Sequence, residues 1–121
     1  MIKQKRIKEF KNDRMSDSTY LVRRQVIDII YQAKKITNLP RIDVRVGKAR
    51  DNTLGLARLN DNIIWIDVEK CTDKLLLQVV LHEICHAVYG TPHDNDCKLM
   101  NPVARQITEK QAWTIFKTYT I

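Results

Sequence analysis

Residues 82–93 read His82-Glu83-Ile84-Cys85-His86-Ala87-Val88-Tyr89-Gly90-Thr91-Pro92-His93. They open on an H-E-x-x-H pattern. Residues four apart lie on one face of a helix, one turn from each other. Two imidazoles so placed can reach one Zn²⁺ at about 2.0–2.1 Å. Glu83 directly follows the first histidine. A carboxylate there can hold a zinc-bound water, take its proton and pass it to a leaving amine. Open catalytic zinc sites use three protein ligands and keep a position for water. The chain has 3 histidines in all, and the third, His93, stands just past Gly90. The pattern therefore predicts one Zn²⁺ per chain on His82, His86 and His93, with Glu83 as catalytic base. Asp94 and Asp96 are rival third ligands, because carboxylates also bind zinc.

The flanking residues suit a buried helix. Leu75, Leu76, Leu77, Val79, Val80, Leu81 and Ile84 place apolar groups on most of its sides. It is expected to start at Thr72, an N-cap residue type followed by Asp73, and to stop at Gly90. Upstream, Ser16, Asp17 or Ser18 can cap a first helix. In it Leu21, Val22, Val26, Ile29, Ile30 and Ala33 recur at spacings of three and four. That helix ends near Asn38, before Pro40. Ile42, Val44 and Val46 alternate with Asp43 and Arg45 as a half-buried strand. Leu54–Leu59 and Ile63–Val68 form a hairpin around Asn60-Asp61-Asn62. Downstream, Thr108 and Gln111 offer a capping box for a last helix running to about Tyr119. The expected fold class is α/β of the α+β kind: a small twisted mixed sheet with an N-terminal helix, a central zinc-binding helix and a C-terminal helix. Residues 16–121 form the domain and residues 1–15 a basic arm.

The segment HEICHAVYGTPHDNDCKLMNP resembles the metzincin zinc peptidases, which carry H-E-x-x-H-x-x-G-x-x-H followed by a Met-turn. Met100, in Leu99-Met100-Asn101-Pro102, stands where that turn would be. In the matrixin branch two strands precede the zinc helix and a helix follows the Met-turn. Here 54–59, 63–68 and 108–119 hold those places, so the resemblance covers residues 16–121 in element order. It implies a metzincin-like fold and a zinc metalloendopeptidase. It also implies a peptide or protein substrate lying extended along the 54–59 edge strand by β-augmentation. The chain departs from the family at one point. Ala87, Val88 and Tyr89 separate His86 from Gly90, where the family has two residues. One added helical residue rotates the downstream chain by about 100°, so a bulge or an altered turn must absorb it before His93.

The chain is 121 residues long, enough for one domain. No run approaches the ~18 apolar residues of a membrane span. Met1–Phe10, MIKQKRIKEF, is basic and lacks the apolar stretch of a secretory signal. The expectation is a cytoplasmic chain in which Cys71, Cys85 and Cys97 are reduced thiols. Cys85 reads as a small packed hydrophobe, and Trp65 and Trp113 as core or cleft residues. The net charge of +7 is uneven. Residues 1–50 hold 14 Lys/Arg against 5 Asp/Glu, a surplus of +9, and the remainder is slightly acidic. A basic front half reads either as a solvated helix surface or as a site for an anionic partner such as nucleic acid.

Two other function classes follow from the same residues. One is a zinc endoribonuclease, or a nucleic-acid-associated metalloprotein that uses the basic N-terminal half. The bacterial ribosomal-RNA maturation endonucleases have a similar three-histidine zinc site. Their motif, H-G-x-L-H-x-x-G-x-D-H, has Gly where this chain has Glu83. A carboxylate beside the first ligand favours the peptidase. The other is a non-catalytic zinc-stabilised module, which would fill a fourth ligand position with Cys97 or Asp96.

Overall fold

The computed structural model describes residues 11–12, 17–71, 73–104 and 107–120. The caps expected at Ser16 and Thr72, and residues 1–10 and 13–15 of the arm, fall outside them. The elements are β1 (Lys11–Asn12), α1 (Asp17–Ile36), β2 (Asp43–Lys48), β3 (Gly55–Ala57), β4 (Ile63–Asp67), α2 (Asp73–Tyr89) and α3 (Glu109–Tyr119). The expected α+β class holds. Three helices accompany a mixed sheet of order β1-β2-β4-β3. β2 and β4 are parallel, while β3 is antiparallel to β4 and forms an edge. Within the region expected to be an arm, Lys11 and Asn12 pair antiparallel with Lys48 and Gly47. Two residues carry no alternation, so nothing in their pattern marks this strand. Among the described residues no helix is long and apolar enough to cross a membrane.

Side-chain periodicity explains which faces are buried. Val44 and Val46 of β2, with Ile64 and Ile66 of β4, point to one face of the sheet. Val26, Ile30 and Ala33 of α1 pack into the same core. So do Val80, Leu81 and Ile84 of α2 and Ala112 and Phe116 of α3. α2 is enclosed almost all round: of residues 74–89 only Lys74 is exposed. Each fully buried Leu, Ile or Val contributes about 1.5–3 kcal/mol, so this sheath accounts for much of the stability of the central helix. At α3 the capping box forms as the sequence predicts. Thr108 Oγ1 accepts from the Gln111 amide and the Gln111 side chain accepts from the Thr108 amide.

β2 and β4 run side by side although β3 intervenes in sequence. The 49–54 loop therefore has to cross the end of β4 to set β3 on the outer edge. Asp67, the last residue of β4, holds that crossing. Its carboxylate accepts the amides of Ala49 (2.7 Å), Glu69 (2.8 Å) and Lys70 (2.7 Å). Lys70 Nζ lies 3.2 Å from the same carboxylate and donates to the carbonyls of Ala49 and Thr53. The Asp67 side chain is 1% exposed.

Burial alone would push the Asp67 carboxyl up, but the three amide bonds and the Lys70 ammonium outweigh it and hold the group below its usual 3.8. A carboxyl whose pKa falls on folding stabilises the native state in full above its unfolded value, about 3.9. That contribution is lost as pH drops through the lower folded value. Urea unfolding of Asp67→Ala is expected to show a loss of about 1–3 kcal/mol near neutral pH, the usual cost of leaving buried hydrogen-bond partners unsatisfied. The difference from wild type should shrink below pH 4. A pH-independent difference would show that ionised Asp67 does not hold the crossing.

Candidate metal centre

α2 carries His82 and His86 one turn apart, and the chain beyond Gly90 returns His93 to the same point. His82 Nε2 lies 3.0 Å from His86 Nε2 and 3.3 Å from His93 Nε2. All three donor atoms lie within 4.8 Å of one another. Tetrahedral ligands at 2.0–2.1 Å from a metal are about 3.3–3.4 Å apart, so the spacing suits a metal ion. Among the described residues this is the one cluster of three or more His, Cys, Asp or Glu donors in ligating reach of each other.

The orientation of the rings is fixed from behind. His82 Nδ1 donates to the Leu99 carbonyl at 2.7 Å, and His86 Nδ1 donates to the Thr91 carbonyl at 2.6 Å. A carbonyl oxygen only accepts, so Nδ1 carries the proton and Nε2 carries the lone pair. Burial pushes His82 down to about 4 and, with the nearby His93, holds His86 below its ordinary value. Both rings are therefore neutral near pH 7. Two lone pairs then face each other across 3.0 Å with no proton between them. That arrangement is repulsive in isolation and complementary to a cation. Metal-ligating histidines carry second hydrogen bonds of this kind.

After Tyr89 the chain closes in an irregular turn, and His93 joins the cluster. The helix runs to Tyr89, and Gly90 takes a φ of +62°. The Gly90 amide bonds to the His86 carbonyl, and the Thr91 amide reaches the Cys85 carbonyl at 3.0 Å. In a Schellman closure that second bond ends on the residue after Cys85, so this turn closes one residue further back. Gly90 is needed on two counts. Its φ disfavours a side chain, and a Cβ there would sit 2.7 Å from the Asn60 amide group.

Asn60 belongs to the β3–β4 turn, whose place the sequence shows but whose task it does not. Asn60 and Asn62 take left-handed φ values of 60° and 41°, a conformation Asn tolerates. Their amides donate to the His86 and Ala87 carbonyls. The hairpin thus caps the C-terminal end of the histidine helix. On the far side, the Asp94 amide donates to the Met100 carbonyl, which ties the His93 loop to the 98–100 turn. Met100 is fully buried.

None of the rival ligands Asp94, Asp96 and Cys97 belongs to the donor cluster among the described residues. Asp94 Oδ1 accepts from the Asp96 amide, and Cys97 Sγ accepts from the Met100 amide. The cysteines are free thiols, and burial pushes Cys71 and Cys85 up to about 12. Cys85 is fully buried in the core, as expected of a small hydrophobe. Neither tryptophan lines the cleft. Trp113 packs edge-on against Phe116. Trp65 alternates away from Ile64 and Ile66 onto the other face of the sheet, under the Arg58 guanidinium.

The histidines and Glu83 face a cleft of about 1040 Å³ between β3 and the 99–104 segment. Glu83 is 5% exposed. β3 passes directly over it: a Cβ on Gly55 would stand 2.7 Å from Glu83 Oε2 and 2.9 Å from Val79 Cγ1. The Asp67 amide donates to the Leu54 carbonyl, so residues 54 and 67 form a hydrogen-bonded pair. Hydrogen-bonded pairs alternate along an antiparallel ladder. The backbone N–H and C=O of Gly55 and Ala57 therefore point away from β4, towards the cleft. Motif spacing does not single out Gly55. A lone Gly at a strand start is the available signal, since it can mark a close approach.

Compared with protein-family models, characterised proteins and solved structures, the chain has no match.

The geometry predicts saturable binding of one divalent transition-metal ion per chain. Metal present at about 100 times its Kd should raise the unfolding free energy by about 2.7 kcal/mol. Calorimetric titration of His86→Ala should show no such site. Unchanged stoichiometry in the variant would place the metal elsewhere.

Proposed function

We propose that the chain is a zinc-dependent metalloendopeptidase with a metzincin-like arrangement. The reading rests on Glu83. This buried carboxylate sits beside the three-histidine cluster, under an edge strand whose outward backbone groups can pair with an extended peptide. Three imidazole nitrogens within 4.8 Å of one another form a donor set that suits zinc. His82, His86 and His93 would hold it. When bound, zinc supplies Lewis acidity, polarising a carbonyl oxygen and lowering the pKa of a water.

The chain's own groups supply the rest. Gly55 and Ala57 align the substrate backbone along the cleft by strand addition. The Leu99 and Thr91 carbonyls keep two imidazoles in the ligating tautomer. Glu83 takes the proton of the attacking water and delivers it to the departing amide nitrogen, since an amide anion leaves poorly unprotonated. The buried position of Glu83 limits its contact with bulk water, which strengthens these electrostatic interactions.

Glu83→Gln is nearly isosteric but cannot accept the proton. It should keep metal content and fold while losing about 10²–10⁴-fold in hydrolysis of an unfolded protein substrate. Full activity in that variant would remove Glu83 as the base. Cleavage of RNA but not of peptides by the wild type would transfer the reading to an endoribonuclease. Gly55→Ala should also lower kcat/KM with metal binding retained, because the added methyl group displaces either β3 or the Glu83 carboxylate. Wild-type kcat/KM in a folded Gly55→Ala protein would show that the approach of β3 to Glu83 is not needed for turnover.

A further inference from the structure

The cleft uses no residue of α1, yet α1 carries most of the large exposed apolar groups among the described residues, together with four basic side chains against two acidic ones. Its buried stripe, Val26, Ile30 and Ala33, faces the core. The opposite side has a composition of its own. Tyr20 is 52% exposed, Ile27 41% and Tyr31 61%. At 100° per residue these three fall within about 40° of one another on the helix. Arg24, Lys34 and Lys35 fall on the same side and are all exposed. Among the described residues none of these three cations is in an ion pair. Asp28 lies on the flank of this face, next to a groove lined also by Glu109 and Trp113.

We infer that this face of α1 is a docking surface for single-stranded nucleic acid. The argument is charge complementarity combined with ring placement. Each tyrosine has a cation within about one turn: Arg24 four residues after Tyr20, and Lys34 and Lys35 three and four after Tyr31. Lys35 Nζ stands 4.8 Å from the Tyr31 ring centroid. An aromatic plane with an adjacent cation is the recurring unit that takes one base and one phosphate of an unpaired strand. The tyrosines are 11 residues apart, about 16 Å along the axis, so the strand would bridge two such units across Ile27. A duplex presents phosphates but no free base faces, and would use the cations alone. An acidic protein segment would likewise use the cations and gain nothing particular from flat rings. The basic surplus of residues 1–50 adds long-range attraction for the same ligand. This surface stands apart from the peptidase reading and does not depend on it.

The test uses the full chain and fluorescein-labelled 15-nucleotide oligo-dT, oligo-U and a 15-base-pair DNA duplex, read by anisotropy at several salt concentrations. Single strands should bind more tightly than the duplex, and the two single strands separate DNA from RNA as the source. Tyr20→Ala/Tyr31→Ala should weaken single-strand binding at least tenfold, and Tyr20→Phe/Tyr31→Phe should retain it. Arg24→Gln/Lys34→Gln should flatten the dependence of log affinity on log salt by about 0.7 for each phosphate no longer neutralised. Circular dichroism checks that each variant stays folded. Hydrolysis by the Glu83 site should be unchanged in all of them, so failure of either reading can be told from failure of the other. Equal affinity for strand and duplex would overturn the inference. So would binding indifferent to the tyrosines, or displacement by polyglutamate as effective as by oligo-dT.

Discussion

Two short hydrogen bonds organise the centre of this protein: His82 Nδ1 to the Leu99 carbonyl and His86 Nδ1 to the Thr91 carbonyl. Each fixes a tautomer, so each points an unprotonated nitrogen at the same small volume. Neither carbonyl belongs to α2. Both lie on the chain beyond it, and that chain also carries His93. The ligand cluster therefore exists only once α2, the Gly90 turn and the 98–101 segment have come together. The Asp94–Met100 and Cys97–Asp94 backbone bonds close that segment on itself, which makes it a rigid backing for the histidines.

The rest of the fold serves to hold α2 in register with the edge strand. The 59–62 turn donates two amides to carbonyls near the end of α2, adding a second donor to the His86 carbonyl and pairing that of Ala87. At the other end of the hairpin, Asp67 and Lys70 pin the crossing loop that delivers β3. β3 is thus fixed at both ends relative to the helix beneath it, and Gly55 lets the two approach closely enough to cover Glu83. The exposed strand edge is only three residues long, which limits unwanted pairing with other chains while leaving two residues' backbone groups for a ligand.

Burying Glu83 and two imidazoles in this setting is costly. An ionised group taken from water loses several kcal/mol even after relaxation, and facing lone pairs add repulsion. The apolar sheath around α2 offsets this. Val80, Leu81, Ile84 and Cys85 are fully buried on the side away from the cleft, and each large aliphatic side chain contributes about 1.5–3 kcal/mol. One helix is thus the core of the fold on one face and a polar site on the other, and a bound cation would turn the repulsive contact into an attractive one.

Much of this is legible in the residues themselves. Periodicity locates α1, the dense apolar run and the Gly90 stop locate α2, the capping box locates α3, alternation locates β2, and the Asn60-Asp61-Asn62 turn locates the hairpin. The capping box at Thr108 is readable because its partners are three residues apart. These features depend on groups close in the chain, where sequence spacing sets spatial distance. The i and i+4 histidines fall in the same class, as does Glu83 beside the first of them. The edge strand at Lys11–Asn12 leaves no trace, because its partners Lys48 and Gly47 are distant in the chain and two residues have no period. Nor can spacing reveal that Gly55 lies over Glu83, or that the turn after Tyr89 closes on Cys85 and keeps His93 in place. Those depend on approach between segments far apart in sequence. Backbone hydrogen bonding and side-chain volume decide such contacts only when the packed elements meet. Local chemistry therefore names the ligands, and long-range packing gives them their common focus.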